Sequence, residues 1–199
     1  MLGDGLKLYR CTEVIEGPNG GAFRKAEPLA PDRKVQELVG IFRMGYQNGK
    51  YESGSGPFFD FGLGRIKDLK YSAEDVFNLS IALGAFEHEA DFGFRFQRVM
   101  NTLVNHGAEE SYVIRTSHLS ARVNALGFIG KGKRLTVEGD VGDCAGFELR
   151  DAVLVINGNA GKHLAAKMRS GELHINGEFE SMADIYGGKV FQRGVQIWP

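Results

Sequence analysis

The C-terminal half of the chain restarts every 19 residues, and that repeat restricts the folds open to it more than any other feature. In register, the segment beginning at Arg134 lies over those beginning at Val153 and Glu172. Leu135, Leu154 and Leu173 share one column, Val137, Ile156 and Ile175 a second, and Gly139, Gly158 and Gly177 a third. A short alternating strand followed by a glycine turn, at a period of about twenty residues, is the pattern of a solenoid. Each unit is then one coil of a parallel β-helix.

Coils stack at the inter-strand spacing of about 4.8 Å, so equivalent positions form ladders. Alternation along the strand sends the Leu and Val/Ile columns to one face, the expected core. The columns Thr136/Val155/His174 and Glu138/Asn157/Asn176 go to the other face. The glycine column is expected at a corner that needs positive φ, with Asp140/Asn159/Glu178 beside it as turn chemistry. A weaker coil precedes these over 117–133: Gly127-Phe128 lies one period before Gly146-Phe147, with its strand portion at Thr116, His118 and Ser120. The solenoid is placed from Ser111 onward.

The run Leu135 to Gly146, with Gly139-Asp-Val-Gly142-Asp-Cys-Ala-Gly146 in a Gly-x-x-Gly-x-x-x-Gly pattern, resembles the C-terminal (GXGXG) β-helix domain of the glutamate synthase large subunit. A similar domain occurs in one of the chains of formylmethanofuran dehydrogenase. The resemblance covers roughly Ser111 to Lys189 and makes Gly139, Gly142, Gly146, Gly158, Gly161 and Gly177 structural turn residues. The second coil departs from it with Ala165, and the third with Glu180 and Asp184, at positions the pattern gives to glycine. The resemblance implies a right-handed β-helix that carries no catalytic residues and holds larger assemblies together.

The first 110 residues show helical periods and no repeat. Asp32 is placed to cap a helix with Val35, Leu38, Val39, Phe42 and Tyr46 on one face. Ser72-Ala-Glu-Asp75 is a capping-box start for a second helix through Val76, Leu79, Leu83 and Phe86. A third is expected from about Asp91 to Asn105, with Phe92, Phe96, Val99 and Leu103 inward and Gly107 beyond its end. Leu6 to Ile15 has strand character and is closed by the turn 17–21. Gly45 to Lys70, rich in glycine and carrying Phe58, Phe59 and Phe61, is read as a hidden hairpin or a partner-binding segment.

Several motifs with apparent chemistry lack their context. Gly127 to Lys133 has the spacing of a phosphate-binding loop, but Arg134 stands where a Ser or Thr would hold Mg²⁺. Asp60-Phe-Gly and Asp91-Phe-Gly come without a kinase catalytic loop, and Glu87-His88-Glu89 is read as a solvated helix end. The five histidines and two cysteines show no zinc-site spacing. One grouping arises only through stacking: Cys144, His163 and Met182 fall in one column. The plain reading is a line of side chains packed at the turn. Thiolate, imidazole and thioether would also suit a soft ion such as Cu(I), and a Cys beside a His would suit thiol chemistry.

The chain carries 24 basic and 25 acidic residues, so no global charge draws it to nucleic acid or anionic membrane. With no apolar run of about 20 residues and no secretion-signal layout at the N-terminus, the cytoplasm is the expected location. These features describe an α+β protein: a small helical N-terminal region, 1–110, leading into a short single-stranded right-handed parallel β-helix, 111–199. The favoured function is a non-catalytic structural or assembly module, a subunit or relic of an amidotransferase or oxidoreductase complex. The alternatives are a free-standing enzyme with a site between helices and solenoid, and a homo-oligomeric structural protein. No cofactor is implied. A protein partner or self-association is, with Phe58, Phe59 and Trp198 as the expected contact.

Overall fold

The computed structural model describes residues 8–16, 22–29, 32–44, 66 and 68–199. Strands β1 (Leu8–Glu16) and β2 (Ala22–Leu29) pair antiparallel, the second of them unforeseen in the sequence. Helix α1 (Arg33–Met44) begins where Asp32 accepts the Lys34 N–H through its side chain and the Gln36 N–H through its carbonyl. Val35, Leu38, Val39 and Phe42 are buried along one face, as the spacing requires. Tyr46, Phe58, Phe59 and Phe61 lie outside the described residues. Of the segment Gly45 to Lys70, only Ile66 and residues 68–70 are described, and Ile66 is fully buried.

Helix α2 (Ala73–Ala82) opens on the expected capping box: the Ser72 hydroxyl accepts the Asp75 N–H, and the Asp75 carboxylate accepts the Ser72 N–H. It tightens into a 3-10 turn (Leu83–Phe86), and helix α3 (Phe92–His106) follows. Gly107 ends α3 with ordinary negative φ. Its need for glycine is spatial, because a Cβ there would collide with the Tyr112 hydroxyl.

Six strands make the solenoid sheet in chain order: β3 (Ser111–Arg115), β4 (Arg134–Glu138), β5 (Val153–Ile156), β6 (Glu172–Ile175), β7 (Lys189–Gln192) and β8 (Val195–Trp198). The first five pair in parallel with Ser111, Arg134, Val153, Glu172 and Lys189 in one column, so the successive coils are 23, 19, 19 and 17 residues long. The α+β class, with a helical region ahead of a β-helix of about four turns, is therefore the observed one. Tyr112/Leu135/Leu154/Leu173/Val190 and Ile114/Val137/Ile156/Ile175 are the buried columns. They belong to one hydrophobic cluster with Phe42, Leu79, Phe96 and Leu103 of the helices.

The first coil corrects the expected register. Thr116, His118 and Ser120 form no strand; that role belongs to Ser111–Arg115, where Tyr112 and Ile114 supply the apolar alternation that segment lacks. From Val123 onward the 19-residue spacing holds, with the Gly142 N–H donating to Val123 and the Gly146 N–H to Leu126. The four extra residues are therefore taken up in the loop between β3 and Val123.

Candidate functional site

Backbone stacking accounts for the glycine columns. Of Gly139, Gly158 and Gly177 only Gly139 has positive φ, at 132°. A Cβ on Gly158 would strike the carbonyl of Gly139, and one on Gly177 the carbonyl of Gly158. These positions need glycine because two peptide planes lie in contact there. Positive φ runs instead through Ala125, Cys144 and His163, at 53°, 59° and 59°, and through Gly127, Gly146 and Ala165 two residues on.

Polar side chains bind each coil to the next. The Asp140 carboxylate accepts the Asn159 N–H at 2.8 Å, and the Asn159 side-chain oxygen accepts the Glu178 N–H at 2.9 Å. One column over, Asn124 accepts the Asp143 N–H and Asp143 the Lys162 N–H. Gly142 and Gly161 sit against those oxygens, where a Cβ would collide with Asn124 and Asp143 respectively. On the outer face the Asn157 amide donates to Glu138 and the Asn176 amide to Asn157.

Met182 drops out of the Cys144/His163/Met182 column, while Cys144 and His163 keep equivalent corner positions with φ of 59°. Ala160 pairs with Phe179, but Leu164 pairs with Met182, so the last coil has lost one residue between these bridges. Ser181 stacks on His163, its hydroxyl accepting the His163 N–H, and Met182 packs toward the core on Leu164. Burial, and after it the neighbouring Asp143 carboxylate, push the Cys144 thiol up, which disfavours the thiolate that metal or nucleophilic chemistry requires. Among the described residues no group of three His, Cys, Asp or Glu side chains is arranged to hold a metal.

The other apparent motifs are occupied structurally. Lys133, the lysine of the phosphate-loop spacing, donates to the carbonyls of Gly107 and Glu109 and so closes the end of α3. Glu87 lies at the end of the 3-10 turn, as a solvated helix end, and is also a tether: it accepts the Ser120 N–H, the Ser120 hydroxyl and the Ala121 N–H. The hydroxyl of Ser120 and then the Ala121 N–H hold its carboxyl below the usual range. Glu89 pairs with Arg95 at 2.7 Å.

That tether shapes the candidate site. The enlarged first coil leaves a cleft of about 290 Å³ lined by Thr116, Ser117, Leu119, Ser120, Arg122 and Asp140, with Ala121 and Gly139 completing the wall. Its floor is fixed by the buried Thr116, whose hydroxyl donates to the Asp140 carbonyl at 2.8 Å. The Asn159 backbone N–H, ahead of the Asn159 side chain and Arg122, holds the Asp140 carboxyl below its ordinary value. Arg122 stands at the rim, 3.4 Å from Asp140 and 3.9 Å from Glu180, with its side chain 44% exposed. Sequence reasoning missed this cleft; the available signal was the four-residue excess between the Tyr112/Ile114 and Leu135/Val137 pairs over the 19-residue period. Trp198, the described member of the expected contact, is half-buried opposite Val190 at the far end of the sheet.

Comparison of the chain with family models, with curated proteins and with solved structures found no match.

Proposed function

We propose that this chain is a non-catalytic assembly module, one that holds a protein partner within an amidotransferase or oxidoreductase complex. The reading is carried by the C-terminal end of the solenoid. There β7 turns through Arg193-Gly194, with φ of 50° and 80°, into the antiparallel strand β8, and β8 is the last strand of the sheet. Val195–Trp198 contains no charged residue, and Val195 is 66% exposed. An edge strand offers unpaired N–H and C=O groups, and proteins usually guard such edges with lysine, proline or cover. Here the strand itself is apolar and amide-bearing, which suits addition of a partner strand. The glycine-rich coil motif that resembles the glutamate synthase domain supports the class of complex.

The test is affinity capture with the full chain, reading the absorption spectrum of the captured material, alongside Val195→Lys. Capture of a flavoprotein or iron–sulfur protein that Val195→Lys abolishes supports the proposal. A chain that sediments as a monomer under all conditions and turns over a small substrate alone refutes it.

A further inference from the structure

We infer that the Arg122–Asp140 cleft is a binding site for a small zwitterion of the α-amino-acid class. The inference goes beyond the assembly proposal and does not depend on it. Three observations converge. The first is that the cleft is built: four residues beyond the coil period enter the first turn, and the loop they form is held open by the triple contact of Glu87 with Ser120 and Ala121. A loop that merely spanned the corner would need no such anchor.

The second concerns the charges. Arg122 lies 3.4 Å from Asp140 and 3.9 Å from Glu180, both longer than the roughly 2.7–2.9 Å of a charge-assisted hydrogen bond. Its planar fork of donors is thus only loosely engaged by these two carboxylates, and a ligand carboxylate is the group that matches it in two-point fashion. Two carboxylates flank one guanidinium, so the rim carries a net negative charge. A simple anion would be repelled there, whereas a ligand carrying its own ammonium would set that group against Asp140 and Glu180 while its carboxylate meets Arg122. Asp140 is suited to this role because Asn159 already fixes it in the ionised form.

The third is size and lining. At about 290 Å³ the cleft is at the small end of ligand pockets, which span roughly 300–1,000 Å³, so it admits a molecule on the scale of a single amino acid. Leu119 and Ala121 offer an apolar wall to a short side chain, and Ser117 an exposed hydroxyl beside it.

The experiment is an amide-resolved NMR titration of the full chain with L-alanine and L-leucine, and separately with acetate and methylammonium. Saturable shifts confined to residues 116–122, 139, 140 and 180 with the amino acids, absent with either half-ligand at equal concentration, are expected. Arg122→Gln should weaken binding by about tenfold or more, the cost of a hydrogen bond to a charged group. Glu180→Gln should weaken it as well, while amides remote from the cleft stay unchanged in both variants and report an intact fold. No saturable shift, an acetate response equal to that of alanine, or undiminished binding in Arg122→Gln would each overturn the assignment.

Discussion

At its first coil the solenoid is closed by side chains from a helix, whereas at its last it is closed by the strand that follows. A coil at either end has no neighbour on one side, so its outward N–H and C=O groups need substitutes. On helix α3, Asn101 and Asn105 stand one turn apart and provide them. The Asn101 amide donates to the Ala125 carbonyl and accepts the Gly127 N–H; the Asn105 amide does the same for the Phe128 carbonyl and the Gly130 N–H. Each carboxamide stands in for a peptide group of an absent coil. Ser80 on α2 adds an acceptor for the Arg115 N–H of β3. At the far end β8 pairs with β7, and Gln192 occupies the inner column below Ile175 and donates to the Gly177 carbonyl and Glu178. The first end is dry and draws on residues distant in sequence; the second is half-exposed and local. The helical layer is therefore part of the solenoid's stability, while at the opposite end β8 is the last strand of the sheet.

The largest effect should come from breaking the dry end. Asn101 is 5% exposed, and Asn101→Ala would orphan the Ala125 carbonyl and the Gly127 N–H together. At about 1–3 kcal/mol for each buried unsatisfied group, the loss should be about 2–6 kcal/mol in denaturant unfolding. Asn101→Asp, which keeps the acceptor for Gly127 but sets a buried carboxylate oxygen against the Ala125 carbonyl, should be at least as damaging at neutral pH. A loss below about 1 kcal/mol for Asn101→Ala would mean that the helix is not the cap described here.

Between the ends, the regular coils set the reference against which both caps are judged. Ile156 is fully buried between Val137 and Ile175, so Ile156→Ala should cost about 2–5 kcal/mol through lost transfer energy and a cavity. Thr136 lies half-exposed on the outer face, and Thr136→Ala should change stability by no more than about 0.5 kcal/mol. Similar values for the two would contradict the inward and outward assignment of the strand columns.

The same contrast explains what can be read from the sequence. The two middle coils are legible because identical positions stack on one another, so one physical requirement is written at Leu135, Leu154 and Leu173 and again at Gly139, Gly158 and Gly177. The capping box at Ser72 is legible because its partners lie three residues apart. The end coils are not, since each deviates from 19 residues and their requirements appear only once. Nothing local in α3 marks Asn101 as a substitute peptide. Extrapolating the period through the 17-residue coil misplaces Met182, and extrapolating it back through the 23-residue coil misplaces β3 and conceals the cleft. The glycine columns suggest a conformational requirement, while contact between coils is what demands Gly158 and Gly177.

Of the two caps the smaller effect is expected at the open end, and it tests the comparison most directly because the chemistry is matched. Gln192, like Asn101, uses a side-chain amide to satisfy a backbone carbonyl at a terminal coil, donating to Gly177 at 3.0 Å and to Glu178 at 3.1 Å. It is half-exposed, and Glu178 also pairs with Arg193, so water and a second cation can replace what the amide supplies. Gln192→Ala should then cost about 0.5–1.5 kcal/mol, the net value of an ordinary hydrogen bond. Measured beside Asn101→Ala under the same conditions, it should retain a clearly higher unfolding midpoint. Equal losses from the two variants would show that the C-terminal end is as dry and committed as the N-terminal one. The open edge proposed for the partner would then lose its physical basis.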